Sequence, residues 1–372
     1  MEASNHPLRW GILGTAGIAA KNWKAIRLTG NAVVTAVASR DLERCRRFID
    51  EQQAVSPFAD PPEALGSYEA LIARRDVDAI YIPLPTALRK AWVIRAAEAG
   101  KHVICEKPCA INAAELKEML KVCRDCDVQF MDGVMFMHNE RMDRIRAVLN
   151  DAEQIGSVRR IQSAFSFFGG KEFQQENIRV QSELEPLGCL GDLGWYCIRY
   201  ALWVMKWQLP VRVVGRILSE AASVSGQPGS PLEFSGELFF EGGVSSGFYC
   251  SFGVDGQQWV VVNGEQGTLR CSDFVIPTSQ IDTAYEVGHQ RVPKEGSGME
   301  LGTETNPGSQ ETHMFRSFSD EVLNGRRRED WPSIAWRTQL VTDACLASAR
   351  AESRPLAVSP ERSVGILPTG CG

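Results

Sequence analysis

Nowhere in the 372 residues is there a run approaching the roughly 18 uninterrupted apolar residues that a membrane helix needs, so no such span is expected. Long basic runs are missing too. Lys+Arg number 40 against 46 Asp+Glu, a net charge of -6, and the one local cluster is Arg326-Arg327-Arg328. Holding a phosphate backbone takes clustered cations, so a nucleic-acid partner is not expected. Asn-x-Ser/Thr acceptors are absent, the 11 cysteines are scattered and odd in number, and residues 1–7 have no apolar signal-like core. Reduced thiols and a cytoplasmic location are the expectation. The five histidines show no ligand spacing, and Cys123-Arg124-Asp125-Cys126 is a single CxxC without a partner pair. Cys123 continues the apolar helical face of Leu116, Met119 and Leu120 while Cys126 turns away from it, so no metal is expected. What remains, 44% hydrophobic and 23% charged residues, is the composition of a globular chain of two or three domains at about 150 residues each.

From Arg9 to about Val134 short apolar runs alternate with longer amphipathic segments, the pattern of strands joined by helices in a parallel sheet. Strands are expected at 10–13, 33–38, 79–82, 102–105 and 128–131, with a weaker one near Phe58. Gly100 reads as the cap of a helix carrying Leu88, Ala91, Trp92, Ala96 and Ala99, and Asn112 with Glu115 reads as a capping pair. After Met137 the rhythm changes. A helix at 140–149 leads into alternating segments at 158–168, 232–240 and 244–252, which read as antiparallel strands, with further strands at 259–262 and 268–271. Glu241-Gly242-Gly243 and the stretch 263–267 are their turns, 223–231 and 289–311 read as long loops, and helices are expected at 311–323 and 334–351. The last residues, 358–372, are expected to be loosely held. The fold class is therefore α/β, with a βαβ domain over 1–134 and a second domain over 135–372 whose strands read as antiparallel.

Directly after the first strand stands Gly14-Thr15-Ala16-Gly17-Ile18-Ala19, opening a helix. A glycine turns the chain tightly, small residues admit phosphate oxygens, and the N–H groups of the helix start bind the anion. Gly14, Thr15, Ala16, Gly17 and Ile18 are thus candidates for holding a pyrophosphate. The next strand ends in Ala38-Ser39-Arg40-Asp41, with no carboxylate at the tip to take a ribose diol. A hydroxyl followed by arginine suits a 2′-phosphate, so Ser39 and Arg40 favour NADP, with NAD as the alternative.

Cys105-Glu106-Lys107-Pro108 lies at the carboxyl end of a strand, where ligands gather in open α/β sheets. Taken with Ile82-Pro83-Leu84-Pro85-Thr86, Gly100-Lys101-His102 and the glycine turn, it makes the chain resemble the Gfo/Idh/MocA oxidoreductases from about Leu8 to Leu356. The resemblance implies an N-terminal Rossmann domain, a C-terminal α/β domain with a large, mainly antiparallel open sheet used for dimer or tetramer contacts, and catalysis at their junction. It also implies that Lys107 is catalytic, with Glu106 and Pro108 shaping a loop near the nicotinamide and Pro83, Leu84 and Pro85 beside the cofactor. A second family motif, Asp-x-x-x-His, stands here as Asp192-Leu193-Gly194-Trp195-Tyr196. Its tyrosine form resembles the branch containing glucose-fructose oxidoreductase, dimeric dihydrodiol dehydrogenases and NADP-linked xylose dehydrogenases. Four residues apart on a helix, Asp192 and Tyr196 would share one face.

The expected chemistry is hydride transfer between nicotinamide and a carbinol or carbonyl carbon of a small carbohydrate, polyol or vicinal diol. Tyr196 would exchange the proton, with its phenol lowered by the Lys107 charge, and Asp192 would orient the substrate hydroxyls. Asn177 and Arg179 are candidates for the substrate cleft. Thr86-Ala87-Leu88-Arg89 departs from relatives that carry histidine in this segment. Two other readings of the same fold are a non-catalytic NAD(P)-binding regulator and a redox-assisted glycosidase.

Overall fold

The computed structural model describes residues 6–222, 228–278, 282–288, 299–305 and 309–359. The first half alternates strand and helix: β1 (Leu8–Leu13), α1 (Gly17–Arg27), β2 (Ala32–Ala38), α2 (Leu42–Val55), β3 (Glu63–Leu65), α3 (Tyr68–Ile72), β4 (Ala79–Ile82), α4 (Thr86–Glu98), β5 (His102–Cys105), α5 (Ala113–Asp125) and β6 (Phe130–Asp132). These strands form a parallel sheet in the order β3-β2-β1-β4-β5-β6, so the chain reverses direction across the sheet between β1 and β4. That reversal opens a crevice at the carboxyl ends of the strands, where Gly14, the loop after β4 and the loop after β5 converge. Buried on both faces, β4 and β5 need the unbroken apolar runs that made them readable.

The remainder begins with α6 (Arg141–Asn150), β7 (Val158–Phe168), α7 (Gly170–Glu176) and α8 (Trp195–Val204). It continues through β8 (Arg212–Glu220), β9 (Pro231–Phe239), β10 (Ser245–Ser251), β11 (Gly253–Gly264), β12 (Thr268–Cys271), β13 (Asp282–Gly288) and β14 (Met299–Thr305), and closes with α9 (Gln310–Leu323), α10 (Asp330–Arg350) and β15 (Leu356–Ala357). Its described strands build a sheet in the order β14-β13-β12-β11-β7-β10-β9-β8-β15, antiparallel except where β10 runs parallel to β7. The helix α8 has every residue buried and lies under this sheet, its Tyr196 ring 5.5 Å from Phe165 of β7.

Two helices return to the first sheet. On α9, Phe315 and Phe318 sit 5.1 and 5.3 Å from the Trp10 ring of β1, and Asn31 donates to Asp320 Oδ1 at 2.8 Å. From α10, Thr338 accepts a 2.7 Å hydrogen bond from Arg199 of α8, whose guanidinium also pairs with Asp132 of β6, both side chains fully buried. These contacts join the second half of the chain to the first sheet.

Several expectations are corrected. The third strand of the first sheet is β3, and Phe58 instead packs edge-on against Trp23 at 5.2 Å, a core contact that reads as strand because it is apolar. The strand expected at 128–131 starts at Phe130, after Asp127 takes a left-handed turn. β8, β13 and β14 were not expected: each lies toward a sheet edge, and β13 and β14 are polar segments. β14 falls inside the stretch 289–311 expected to be loop, of which 289–298 and 306–308 lie outside the described residues. So do 223–227 and 360–372, covering most of two other expected loose segments. The final long helix begins at Asp330, four residues early, because Pro332 sits in its first turn, where its missing N–H costs nothing. Among the described residues, no helix is long and apolar enough to cross a membrane.

Candidate active site

The glycine turn is built for close approach. Gly14 has φ +118°, its N–H donates to the Ala38 carbonyl at 2.9 Å, and a Cβ there would meet Leu84 Cδ2 at 3.2 Å. The turn and the Pro83-Leu84-Pro85 loop are thus in contact. A Cβ at Gly17 would meet open space, and α1 starts at Ala16 with no side chain capping its N–H groups. By contrast α2, α3 and α5 are capped by Asp41, Ser67 and Asn112, while α4, preceded by Pro85, shares with α1 an N-cap residue that makes no capping bond. An uncapped helix start beside an open turn fits a dinucleotide pyrophosphate. At the tip of β2, Ser39 is buried with its Oγ accepting the Asp41 N–H at 3.3 Å, and Arg40 is exposed. Sequence reasoning missed Arg44, one turn into α2, whose guanidinium donates to the Thr15 carbonyl at 3.3 Å. Its signal is the spacing Arg40-Asp41-Leu42-Glu43-Arg44 around a capping aspartate, which sets both arginines at one helix start.

The loop after β5 carries Glu106, Lys107 and Pro108. Glu106 points inward and accepts a 2.6 Å hydrogen bond from Tyr81, whose hydroxyl in turn accepts one from Asn22 at 2.6 Å. Burial pushes the Glu106 carboxyl up, against the opposing effects of Tyr81 and the Lys107 charge. Gly133 makes room for it, since a Cβ there would lie 3.0 Å from Glu106 Oε1. Lys107, with its side chain 9% exposed, donates to both the backbone carbonyl and Oδ1 of Asp192 at 2.6 Å. Its ammonium also lies 4.6 Å above the Tyr196 ring.

Asp192 sits in a π-helical turn, Leu190–Gly194, which leads into α8, rather than in the regular helix expected. The turn's glycines explain its shape. A Cβ on Gly191 would stand 2.6 Å from Leu187 Cβ and 3.0 Å from Pro108 Cγ, and one on Gly194 would stand 3.2 Å from Cys250 Sγ. Pro108 therefore docks directly on the turn that carries Asp192. Arg179 Nε lies 3.4 Å from Asp192 Oδ2, and Asn177 caps the 3₁₀ turn Ile178–Val180 by accepting the Arg179 N–H at 3.0 Å. Burial opposes ionisation of Asp192, yet the flanking charges of Lys107 and Arg179 hold its carboxyl below the usual range.

Tyr196 is brought to the same place but not in the expected electrostatic state. It is 6% exposed, its hydroxyl donates to Met135 Sδ at 3.6 Å, and its ring packs on Phe136 and Phe165 at 6.0 and 5.5 Å. Burial, followed by the carboxylates of Glu106, Asp192 and Glu311, pushes the phenol well above its ordinary value. The ammonium of Lys107 faces the ring and donates to Asp192, and the net shift of the phenol is upward, opposite to the lowering expected.

A glycine turn at the switch point of a parallel sheet, near a buried lysine, aspartate and tyrosine, is the arrangement expected of a nicotinamide-dependent oxidoreductase. Residues 8–134 match the model described as oxidoreductase family, NAD-binding Rossmann fold, and residues 143–270 match the GFO/IDH/MocA C-terminal domain. D-xylose 1-dehydrogenase (NADP(+)) 2 of Haloferax volcanii is 30% identical over 280 residues, 75% of this chain and 80% of that protein. Trans-1,2-dihydrobenzene-1,2-diol dehydrogenase of Bos taurus is 30% identical over 268 residues, 72% of this chain and 74% of that one. A solved 3-ketoreductase from Actinomadura kijaniata, in complex with NADP and TDP-benzene, superposes with a TM-score of 0.77 at 24% identity, covering 92% of this chain and 98% of that one. The chain belongs to the GFO/IDH/MocA oxidoreductase family, as an NAD(P)-dependent enzyme acting on CH–OH groups.

Proposed function

We propose that the protein is an NADP-dependent oxidoreductase that reduces a carbonyl, or in reverse oxidises a carbinol, of a sugar, polyol or vicinal diol. A nicotinamide held by the loops after β4 and β5, residues 83–85 and 106–107, would supply the hydride chemistry. The protein supplies binding and the proton. The observation that carries the reading is the Lys107–Asp192 contact at the face of the Tyr196 ring, three groups from three segments brought together. A phenol held neutral by burial is a donor at neutral pH, so Tyr196 is set to protonate the oxygen of a carbonyl substrate. Lys107 polarises that oxygen, while Asp192 and Arg179 bind neighbouring hydroxyls. Ser39, Arg40 and Arg44 take the 2′-phosphate, with the turn 14–18 on the pyrophosphate and residues 83–85 and 106–107 beside the nicotinamide ribose.

The relatives named for xylose and dihydrodiol oxidation support the substrate class. We divide the chain into a dinucleotide domain, 1–134, and a substrate and assembly domain, 135–372. The open face of the nine-stranded sheet is the expected dimer or tetramer contact, to be read by light scattering, and the cytoplasm is the expected compartment. Lys107→Ala and Tyr196→Phe should each cut kcat at least about tenfold while NADPH affinity stays within about threefold. Steady-state rates on any panel substrate, with fluorescence titration of NADPH, check this; near-normal turnover in both variants overturns the mechanism.

A further inference from the structure

Beneath the reactive loop lies a guanidinium that the chemistry above leaves unused. Arg89, on the first turns of α4, is 6% exposed, and among the described residues it forms no ion pair. Its Nε donates to the Leu84 carbonyl at 2.7 Å, and its Nη1 donates to Thr86 Oγ1 at 2.9 Å and to the Pro108 carbonyl. One planar fork therefore holds the loop that touches Gly14 and the loop that presents Lys107. The Thr86 hydroxyl, accepting from Arg89, donates to Glu185 Oε2 at 2.5 Å, and the Thr86 N–H donates to Glu185 Oε1 at 2.9 Å. Glu185 lies beyond the dinucleotide half, in the segment leading to the π-turn, and there the Ala87 N–H meets the Leu184 carbonyl at 3.0 Å. The negative end of the network thus belongs to the substrate half and the positive end to the dinucleotide half.

We propose that Arg89, Thr86 and Glu185 form an interdomain latch that positions the Glu106-Lys107-Pro108 loop against the Asp192 turn. Arg89 is a positioning residue: it touches neither the proton nor the expected hydride path, and it acts through the carbonyls of Leu84 and Pro108. A buried cation with only neutral partners keeps its field, and that field favours the ionised forms of Glu106 and Asp192. The groups around Asp192 are Lys107 from the β5 loop, Arg179 from the 3₁₀ turn, Arg89 from α4, Tyr196 from α8 and Cys250 from β10, with Glu106 behind Lys107. Removing the Arg89 charge therefore raises the pH needed to ionise Asp192, while a lysine in its place keeps the charge but not the fork.

The latch rests on Lys107 and Asp192 being the reacting machinery, and its test includes a measurement that does not need turnover. In the cofactor-free protein, Arg89→Met should speed amide exchange over 84–90 and 105–113 by about tenfold, with β9 and β10 unchanged. In turnover, Arg89→Met should lower kcat at least about tenfold with substrate KM within about threefold, and should move the acid limb of kcat/KM to higher pH. Arg89→Lys should restore the acid limb but not kcat, and Glu185→Gln should accelerate exchange over 84–90 as Arg89→Met does. Unchanged exchange in both loops overturns the latch, as does uniform acceleration across the chain with an unmoved acid limb, the mark of general destabilisation. A wild-type protein without turnover would defeat the proposed function and leave the exchange measurement to decide the latch.

Discussion

Arg40 and Arg44 stand on either side of the capping Asp41, the first exposed at the end of β2 and the second reaching back to the Thr15 carbonyl. A 2′-phosphate between them would receive charge-assisted hydrogen bonds, each worth about 1.5–3 kcal/mol. Arg40→Ala and Arg44→Ala should each weaken NADPH by about tenfold or more and NADH by less than about twofold. Fluorescence titration of both nucleotides decides it, and equal loss for the two contradicts the phosphate role. Placements that depend on local sequence were legible: the Gly14 turn directly after a strand, and Lys107 on the loop that follows β5. Residues whose work depends on distant partners were not. Glu185 meets Thr86 across 99 positions, and the state of the Tyr196 phenol follows from burial under Phe136 and Phe165, which no spacing reveals.

Among elements, α8 does the most to hold the site's geometry, because its first turn carries Tyr196 while its middle anchors elsewhere. Arg199 and Asp132 are 2% and 4% exposed and join α8 to β6, and the Arg199 Nε bond to Thr338 adds α10. Such a pair contributes little against an apolar replacement, yet losing one partner strands a buried charge, at about 3–5 kcal/mol. Arg199→Met should therefore lower the unfolding free energy by about that amount, and adding Asp132→Leu should recover part of the loss. Urea unfolding measures both; a single variant within about 1 kcal/mol of the native protein contradicts the role given to the pair. The two-face-buried strands β4 and β5 were readable because burial leaves an unbroken apolar run. β3, β8, β13 and β14 were not, since strands near an edge can be short or polar and still complete their hydrogen bonds with a neighbour.

At the scale of the whole molecule, the chain builds two sheets, and α9 and α10 return along the chain to contact the first half through Trp10 and, with Arg199, Asp132. The proposed chemistry would draw on groups from both halves, Lys107 from one and Asp192 and Tyr196 from the other, and Thr86 on the first half hydrogen-bonds Glu185 on the second. The two-domain class was legible in the change of rhythm near residue 137, whereas the return of α9 across the Trp10 face was not, because its apolar stripe fits any core. The crevice assembled by these elements is proposed to bind NADP and to use it. The most direct measurement is titration of the purified protein with NADPH and NADH, followed by aldoses, polyols, vicinal diols and their carbonyl forms with absorbance read at the nicotinamide band. Tighter binding of NADPH with turnover of a panel member is the predicted result; failure to bind either nucleotide would contradict the account from Gly14 onward.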